Sequence, residues 1–243
     1  MRLLLNCDLG EWSGVGAACN GEHVMPFIDQ VNVACGIHAG SPVLMKETLI
    51  AARSNSVTVG AHPSYPDRDG FGRRSMELPA EELIAVLQYQ VAALQGMARN
   101  LGMHVRYVKP HGALYTDMMA DIQVRHAVMQ AISENCEPLE FMLQATPFAK
   151  EHKKEAEAFG LSVIFEAFAD RCYDDDGALV ARTEHGAVHD RKKMLRQVRQ
   201  LVEHGSVTTK SGKYLALRAD SICVHGDNVA AIEAIGEVRT LIS

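Results

Sequence analysis

The 243-residue chain is large enough for one (β/α)-barrel core, and its formal net charge of -6, with no Lys/Arg run to track phosphates, argues against nucleic acid as a partner and for small-molecule chemistry. No stretch reaches the roughly 20 apolar residues of a membrane span, and the opening run Leu3-Leu4-Leu5 is too short for a signal peptide, so a cytoplasmic protein is expected. Six cysteines (Cys7, Cys19, Cys35, Cys136, Cys172 and Cys223) lack CxxC or zinc-knuckle spacing and are expected as reduced thiols, with Cys7, Cys35 and Cys223 acting as small buried hydrophobes inside strand-like runs.

In chain order, short β-rich runs alternate with longer helical stretches. The runs read as strands are Leu3 to Cys7, Gln30 to Ala34, Val57 to Gly60, Arg106 to Val108, Phe141 to Leu143, Ser162 to Phe165 and Ser221 to Val224. Among the helices, Pro42 to Asn55 opens on Ser41-Pro42, a cap followed by proline in the first turn. Pro79 to Leu101 carries Glu81 and Glu82 at its start and Gly102 after its end. Further helices are expected at Ile122 to Ser133, Pro147 to Phe159, Arg191 to Glu203 and Asn228 to Leu241. No repeat or Pro/Gly/Ser-rich linker divides the chain, so residues 1–243 are read as one domain of α/β class. Neither GxGxxG nor GxxxxGK[ST] follows the first strand, which disfavours an open nucleotide-binding sheet and leaves a TIM-like (β/α) barrel of seven or eight strands.

Nearly every strand-like run is followed within a few residues by a side chain able to bind a metal or move a proton. Asp8 and Glu11 follow the first, His38 the second, His62 the third, Lys109 and His111 the fourth, Asp170 and Arg171 the sixth, and His225 and Asp227 the seventh. In a parallel barrel all strand C-termini face one mouth, where such barrels do their chemistry. Asp8, Glu11, His38, His62, His111 and His225 are therefore the expected catalytic groups. Lys109, Asp170, Arg171, Asp227, Arg73 and Arg74 are the expected substrate or nucleotide contacts. A bound divalent ion would draw on Asp8, His38 and His62, and the residues alone leave its presence open. His104, His126, His152, His185, His189 and His204 lie on helical or polar stretches and are read as solvated. The loop Asp67 to Arg74, with two glycines and an Arg pair, suits a mobile lid with an anion-binding element. HExxH and GxSxG are absent.

Motifs spread over nearly the whole chain resemble the LamB/YcsF family: Asn6-Cys7-Asp8-Leu9-Gly10-Glu11, Asn32 to Gly40 (NVACGIHAG), Gly60 to Asp67 (GAHPSYPD), Gly70 to Arg74 (GFGRR), Val108 to Tyr115 (VKPHGALY), Ala169-Asp170-Arg171 and Cys223 to Asp227 (CVHGD). The resemblance implies a barrel related to the glycoside hydrolase/deacetylase group. It also implies service as one subunit of an ATP-dependent 5-oxoprolinase, which opens the lactam of 5-oxo-L-proline to L-glutamate with ATP, and Mg as its counter-ion, beside the other two subunits. Without a Walker motif, the nucleotide site is either of unusual construction here or on a partner. Two rival readings use the same residues: a stand-alone metal-dependent amidohydrolase or carbohydrate deacetylase, and a non-catalytic substrate-binding subunit. The chain departs from the family pattern at Ser41, where Asp is expected before Pro42, and at Trp12-Ser13-Gly14, where a Ser-Phe-Gly type segment is expected after Glu11.

Overall fold

In the computed structural model, residues 3–11 and 23–243 are described; the departure at Trp12-Ser13-Gly14 and Cys19 lie outside them. The strands are β1 (Leu4–Leu9), β2 (Gln30–Ala34), β3 (Thr58–His62), β4 (Val105–Val108), β5 (Glu140–Gln144), β6 (Val163–Phe168), β7 (Ser206–Thr208), β8 (Tyr214–Ala216) and β9 (Ser221–Val224). All but β7 and β8 join in a closed, parallel, seven-stranded barrel, sealed where β9 pairs with both β6 and β1. These seven are the runs expected from sequence, shifted by at most a few residues. The antiparallel hairpin of β7 and β8, which the sequence reading does not include, precedes β9 and stands apart from the barrel sheet.

The helices are α1 (Pro42–Ser54), α2 (Ala80–Arg99), α3 (Gly112–Ala120), α4 (Ile122–Ser133), α5 (Ala149–Ala158), α6 (Arg191–His204), α7 (Val229–Glu233) and α8 (Ile235–Ile242). Ser41 caps α1 through its Oγ, which accepts from Leu44 N–H at 3.2 Å, so position 41 performs the capping work an Asp would also do. Asp190 caps α6, and Gly205 ends it in the left-handed conformation at φ +59. Helix α3 is additional to those expected, and the expected C-terminal helix divides at Ala234. No helix among the described residues is long and apolar enough to cross a membrane.

The strands are two-faced. Along β1, Leu5, Cys7 and Leu9 enter the main hydrophobic core, while Asn6 and Asp8 point the other way. Register carries this alternation round the barrel, with Asn6 beside Gln30, Asp8 beside Asn32 and Glu166 beside Ser221. The lumen is therefore a polar network: Asn6 Nδ2 donates to Ser221 Oγ (2.8 Å), Asn32 Nδ2 to Asn6 Oδ1 (2.8 Å), Tyr107 OH to Asn32 Oδ1 (2.7 Å) and Ser221 Oγ to Gln30 Oε1 (2.8 Å). Gly60 makes room for the Tyr107 ring, which a Cβ there would approach to 2.1 Å. Cys223 corrects the reading of strand cysteines as apolar filler, since its Sγ lies 3.1 Å from Lys109 Nζ. His152 is buried on α5 rather than solvated.

Candidate active site

Every barrel strand ends at the same mouth, and a cavity of ≈ 490 Å³ opens there, within the usual range for small-molecule sites. Its walls include Asp8, Glu11, His62, Lys109, His111, His225, Arg73, Arg171 and Asp227, together with Tyr115 and Phe168. Residues as far apart in sequence as Asp8 and Asp227 thus meet through strand order alone. Of the expected site residues, His38, Asp170 and Arg74 do not line the cavity.

At the inner end, Asp8 Oδ1 accepts from Lys109 Nζ at 2.9 Å and from Asn32 Nδ2 at 2.7 Å, while Lys109 also reaches Glu166 Oε2 at 3.1 Å. Burial opposes ionisation of Asp8, but Lys109, with His62 and His225 nearby, holds the carboxyl well below the ordinary range. Burial likewise penalises the Lys109 ammonium, and Asp8, Cys223 and Glu166 outweigh it to push its pKa well up. Burial raises Glu166. The lysine is a fixed positive charge serving two carboxyl groups.

Beside this lies a cluster built by β3 and the loops after β1, β2, β3 and β4. His62 Nδ1 is 2.7 Å from the Lys109 carbonyl, and His111 Nε2 is 2.9 Å from the Phe71 carbonyl. His62 Nε2 and His111 Nδ1 are 3.0 Å apart, and Glu11 Oε1 is 3.4 Å from His111 Nδ1 and 4.0 Å from His62 Nε2. His38 stands behind, stacked on His111 with centroids 3.8 Å apart, its Nε2 3.3 Å from Glu11 Oε1 and its Nδ1 3.0 Å from Ser64 Oγ. Burial drives His62 well below its ordinary pKa, His38 to about 3 and His111 to about 4, leaving neutral rings at pH 7. Burial pushes Glu11 up to about 7, with His111 opposing and Asp8 adding to the rise.

The loop from Asp67 to Arg74 is packed against this cluster rather than standing off as a free lid. Asp67 Oδ1 accepts from Gly70 N–H at 3.0 Å and pairs with Arg74, so Arg74 spends its charge on Asp67. Phe71, at φ +56, meets the rings of His38 and His111 edge-on. Gly72 is required at φ +65, where a Cβ would also come within 2.9 Å of His111 Cδ2.

On the other wall, His225 Nδ1 lies 2.8 Å from Asp170 Oδ1, and Asn228 Nδ2 donates to Asp170 Oδ2 at 2.9 Å. Asp170 is thus an orienter of His225, with His225 stacked on Phe168. Arg171 is buried and donates to the carbonyls of Val180 (2.7 Å) and Ala187 (3.4 Å). No carboxylate among the described residues lies within ion-pair distance of it, and burial beside Arg182 lowers its pKa to about 10. At the rim, Arg73 pairs with Asp227, and Arg182 lies 3.5 Å from the same carboxylate.

Sequence reasoning missed Arg182, Asn32, Tyr107 and the lumen role of Cys223. Arg182 sits in an irregular stretch with no strand to announce it. The lumen residues carried a signal in the alternation Asn6/Asp8 and Gln30/Asn32 within apolar strands. Two sets among the described residues bring ligand atoms close enough to hold a metal ion, Glu11 with His62 and His111, and Asp8 with Cys223 and His225; His38 belongs to neither, unlike the set Asp8, His38 and His62 expected from sequence.

The family model described as LamB/YcsF family matches residues 3–243. The chain is 45% identical over 239 residues to the 5-oxoprolinase A subunit of Pseudomonas fluorescens (strain Pf0-1), covering 98% of this chain and 96% of that one. It is 44% identical to the corresponding 5-oxoprolinase subunit of Vibrio campbellii, with 98% and 94% covered. Among solved structures it is similar to a lactam utilization protein from Thermus thermophilus, with 35% identity, a TM-score of 0.86, and 98% and 96% of the two chains covered.

Proposed function

The chain belongs to the LamB/YcsF family, and from that premise we propose that it is the lactam-opening subunit of an ATP-dependent 5-oxoprolinase, acting on 5-oxo-L-proline to give L-glutamate together with partner subunits. The observation that carries the reading is the cavity itself. A buried arginine without a carboxylate partner and an Asp-oriented histidine line one chamber with the carboxyl groups of Asp8, Glu11 and Asp227 at the C-terminal end of a barrel. Arg171 suits the substrate carboxylate, because a guanidinium held by two backbone carbonyls keeps donors for a planar anion. Tyr115 and Phe168 suit the ring methylenes.

Hydrolysis of the lactam adds water oxygen to the carbonyl carbon, breaks the C–N bond and returns a proton to the departing nitrogen. His225, held by Asp170 through Nδ1, presents its other nitrogen for proton transfer. Asp8, kept ionised by Lys109, supports positive charge developing on His225. A five-membered lactam is a stable amide, so phosphorylation of its carbonyl oxygen by ATP would create a better target for water. Two arginines against one carboxylate at the rim leave surplus positive charge that fits a phosphoryl group.

The test is glutamate formation from 5-oxoproline and ATP by the chain combined with its partner subunits. Release that depends on ATP and on this chain is expected. Equal release by the partners without it, or by the complex carrying His111→Ala, would contradict the reading.

A further inference from the structure

Two of the mouth histidines have their tautomers fixed by partners that can only accept. The Lys109 carbonyl, 2.7 Å from His62 Nδ1, places that ring's proton on Nδ1 and leaves a lone pair on Nε2. The Phe71 carbonyl, 2.9 Å from His111 Nε2, places the proton on Nε2 and leaves a lone pair on Nδ1. Those two lone-pair nitrogens face each other at 3.0 Å, and Glu11 Oε1 completes a triangle with sides of 3.4 and 4.0 Å. All three side chains are more than nine-tenths buried. Three electron-pair donors aimed at one another in a buried site repel unless a cation lies among them, and a shared proton serves one pair while leaving the third atom opposed.

We propose that Glu11, His62 and His111 form a binding site for one divalent first-row transition ion of the zinc type, distinct from any magnesium that accompanies nucleotide. Tetrahedral ligands at about 2.0–2.1 Å from zinc stand roughly 3.4 Å from one another, and the three separations bracket that spacing. Two imidazole nitrogens and a carboxylate oxygen are the donor set such ions take, and hard magnesium favours oxygen ligands instead. Each histidine is backed by a backbone carbonyl on its remote nitrogen, the support that orients metal-bound imidazoles. All three residues line the cavity, so a further coordination position faces the substrate chamber, and Asp8 Oδ2, 3.6 Å from His62 Nε2, stands beside it. The other candidate set, Asp8 with Cys223 and His225, is unsuited to a cation, because the Lys109 ammonium already sits 2.9 Å from Asp8 and 3.1 Å from Cys223. The ion site stands on its three ligands whatever the substrate.

The chain, stripped with chelator and dialysed, is titrated with Co²⁺ and with Zn²⁺, following the visible Co²⁺ absorption band and the metal-to-protein ratio by elemental analysis. The expected result is one ion per chain, an intense band of a low-coordinate Co²⁺ site displaced by Zn²⁺, and at least a roughly tenfold loss of affinity in His111→Ala. Circular dichroism checks that variant's fold. Should it fail to fold, Glu11→Gln, which keeps the side chain's shape, is read the same way. No stoichiometric ion in the wild-type chain, or undiminished affinity in a folded ligand variant, overturns the site. The outcome separates from the lactam reading: ion binding without glutamate release refutes only the proposed activity, and full release by a complex with no ion bound refutes only the site.

Discussion

In the lumen, Lys109 lies between Asp8 and Glu166 while Asn6, Asn32, Gln30 and Ser221 satisfy one another; next to it at the mouth, Glu11, His62 and His111 turn three electron-pair donors toward a single point. Both regions are polar and buried, yet in the first the Lys109 ammonium stands between carboxyl groups, and in the second no Lys or Arg among the described residues lies within ion-pair distance of Glu11. An internally balanced network closes the barrel around a polar interior, which its strands need because alternate residues must face inward. An unbalanced one costs stability unless something outside the chain completes it, and such sites cluster where proteins bind and react.

Breaking the lumen is expected to have the largest effect. Lys109→Met keeps the side chain's length but leaves Asp8 and Glu166 without their shared cation, so folding stability should fall by about 3–5 kcal/mol, the usual cost of removing one partner of a buried pair. Chemical denaturation measures it, and a loss below about 1 kcal/mol would mean the lumen is not balanced by that lysine. Next, Asp170→Asn frees His225 from its fixed tautomer; the reconstituted complex should lose roughly 10²-fold or more in kcat with little change in KM for 5-oxoproline. An unchanged kcat would remove His225 from proton transfer. Arg171→Ala should act the other way, raising KM for 5-oxoproline roughly tenfold or more through loss of a charge-assisted contact; equal turnover at low substrate would send the carboxylate elsewhere. The smallest effect belongs outside both regions. Ser41→Ala should cost about 1 kcal/mol of stability as a lost helix cap and leave catalysis untouched, whereas Ser41→Asp should keep the cap.

Much of this arrangement was legible in the sequence. The seven strand runs each became a barrel strand as short apolar stretches set between helical or turn-forming segments. The rule that chemistry gathers at strand C-termini brought Asp8, Glu11, His62, His111 and His225 to one cavity. What escaped was decided by directions that sequence spacing does not encode. Asp170 and Arg171 are neighbours, yet one turns to His225 and the other to the cavity. Arg74 and Arg73 divide similarly, one bound to Asp67 and the other at the rim. His38 matches its fellow histidines in position after a strand, and only its stacking on His111 places it behind them. The helix α3 starts at His111-Gly112 without a side-chain cap, and the β7–β8 hairpin is too short for period-2 alternation to register.

The most direct test compares the wild-type chain with His111→Ala in the complex assembled with its partner subunits, measuring glutamate released from 5-oxoproline in the presence of ATP. The mouth cluster as the working centre predicts that the variant assembles, keeps its circular dichroism spectrum and releases no glutamate above the level of the partners alone. Release near the wild-type rate would contradict it.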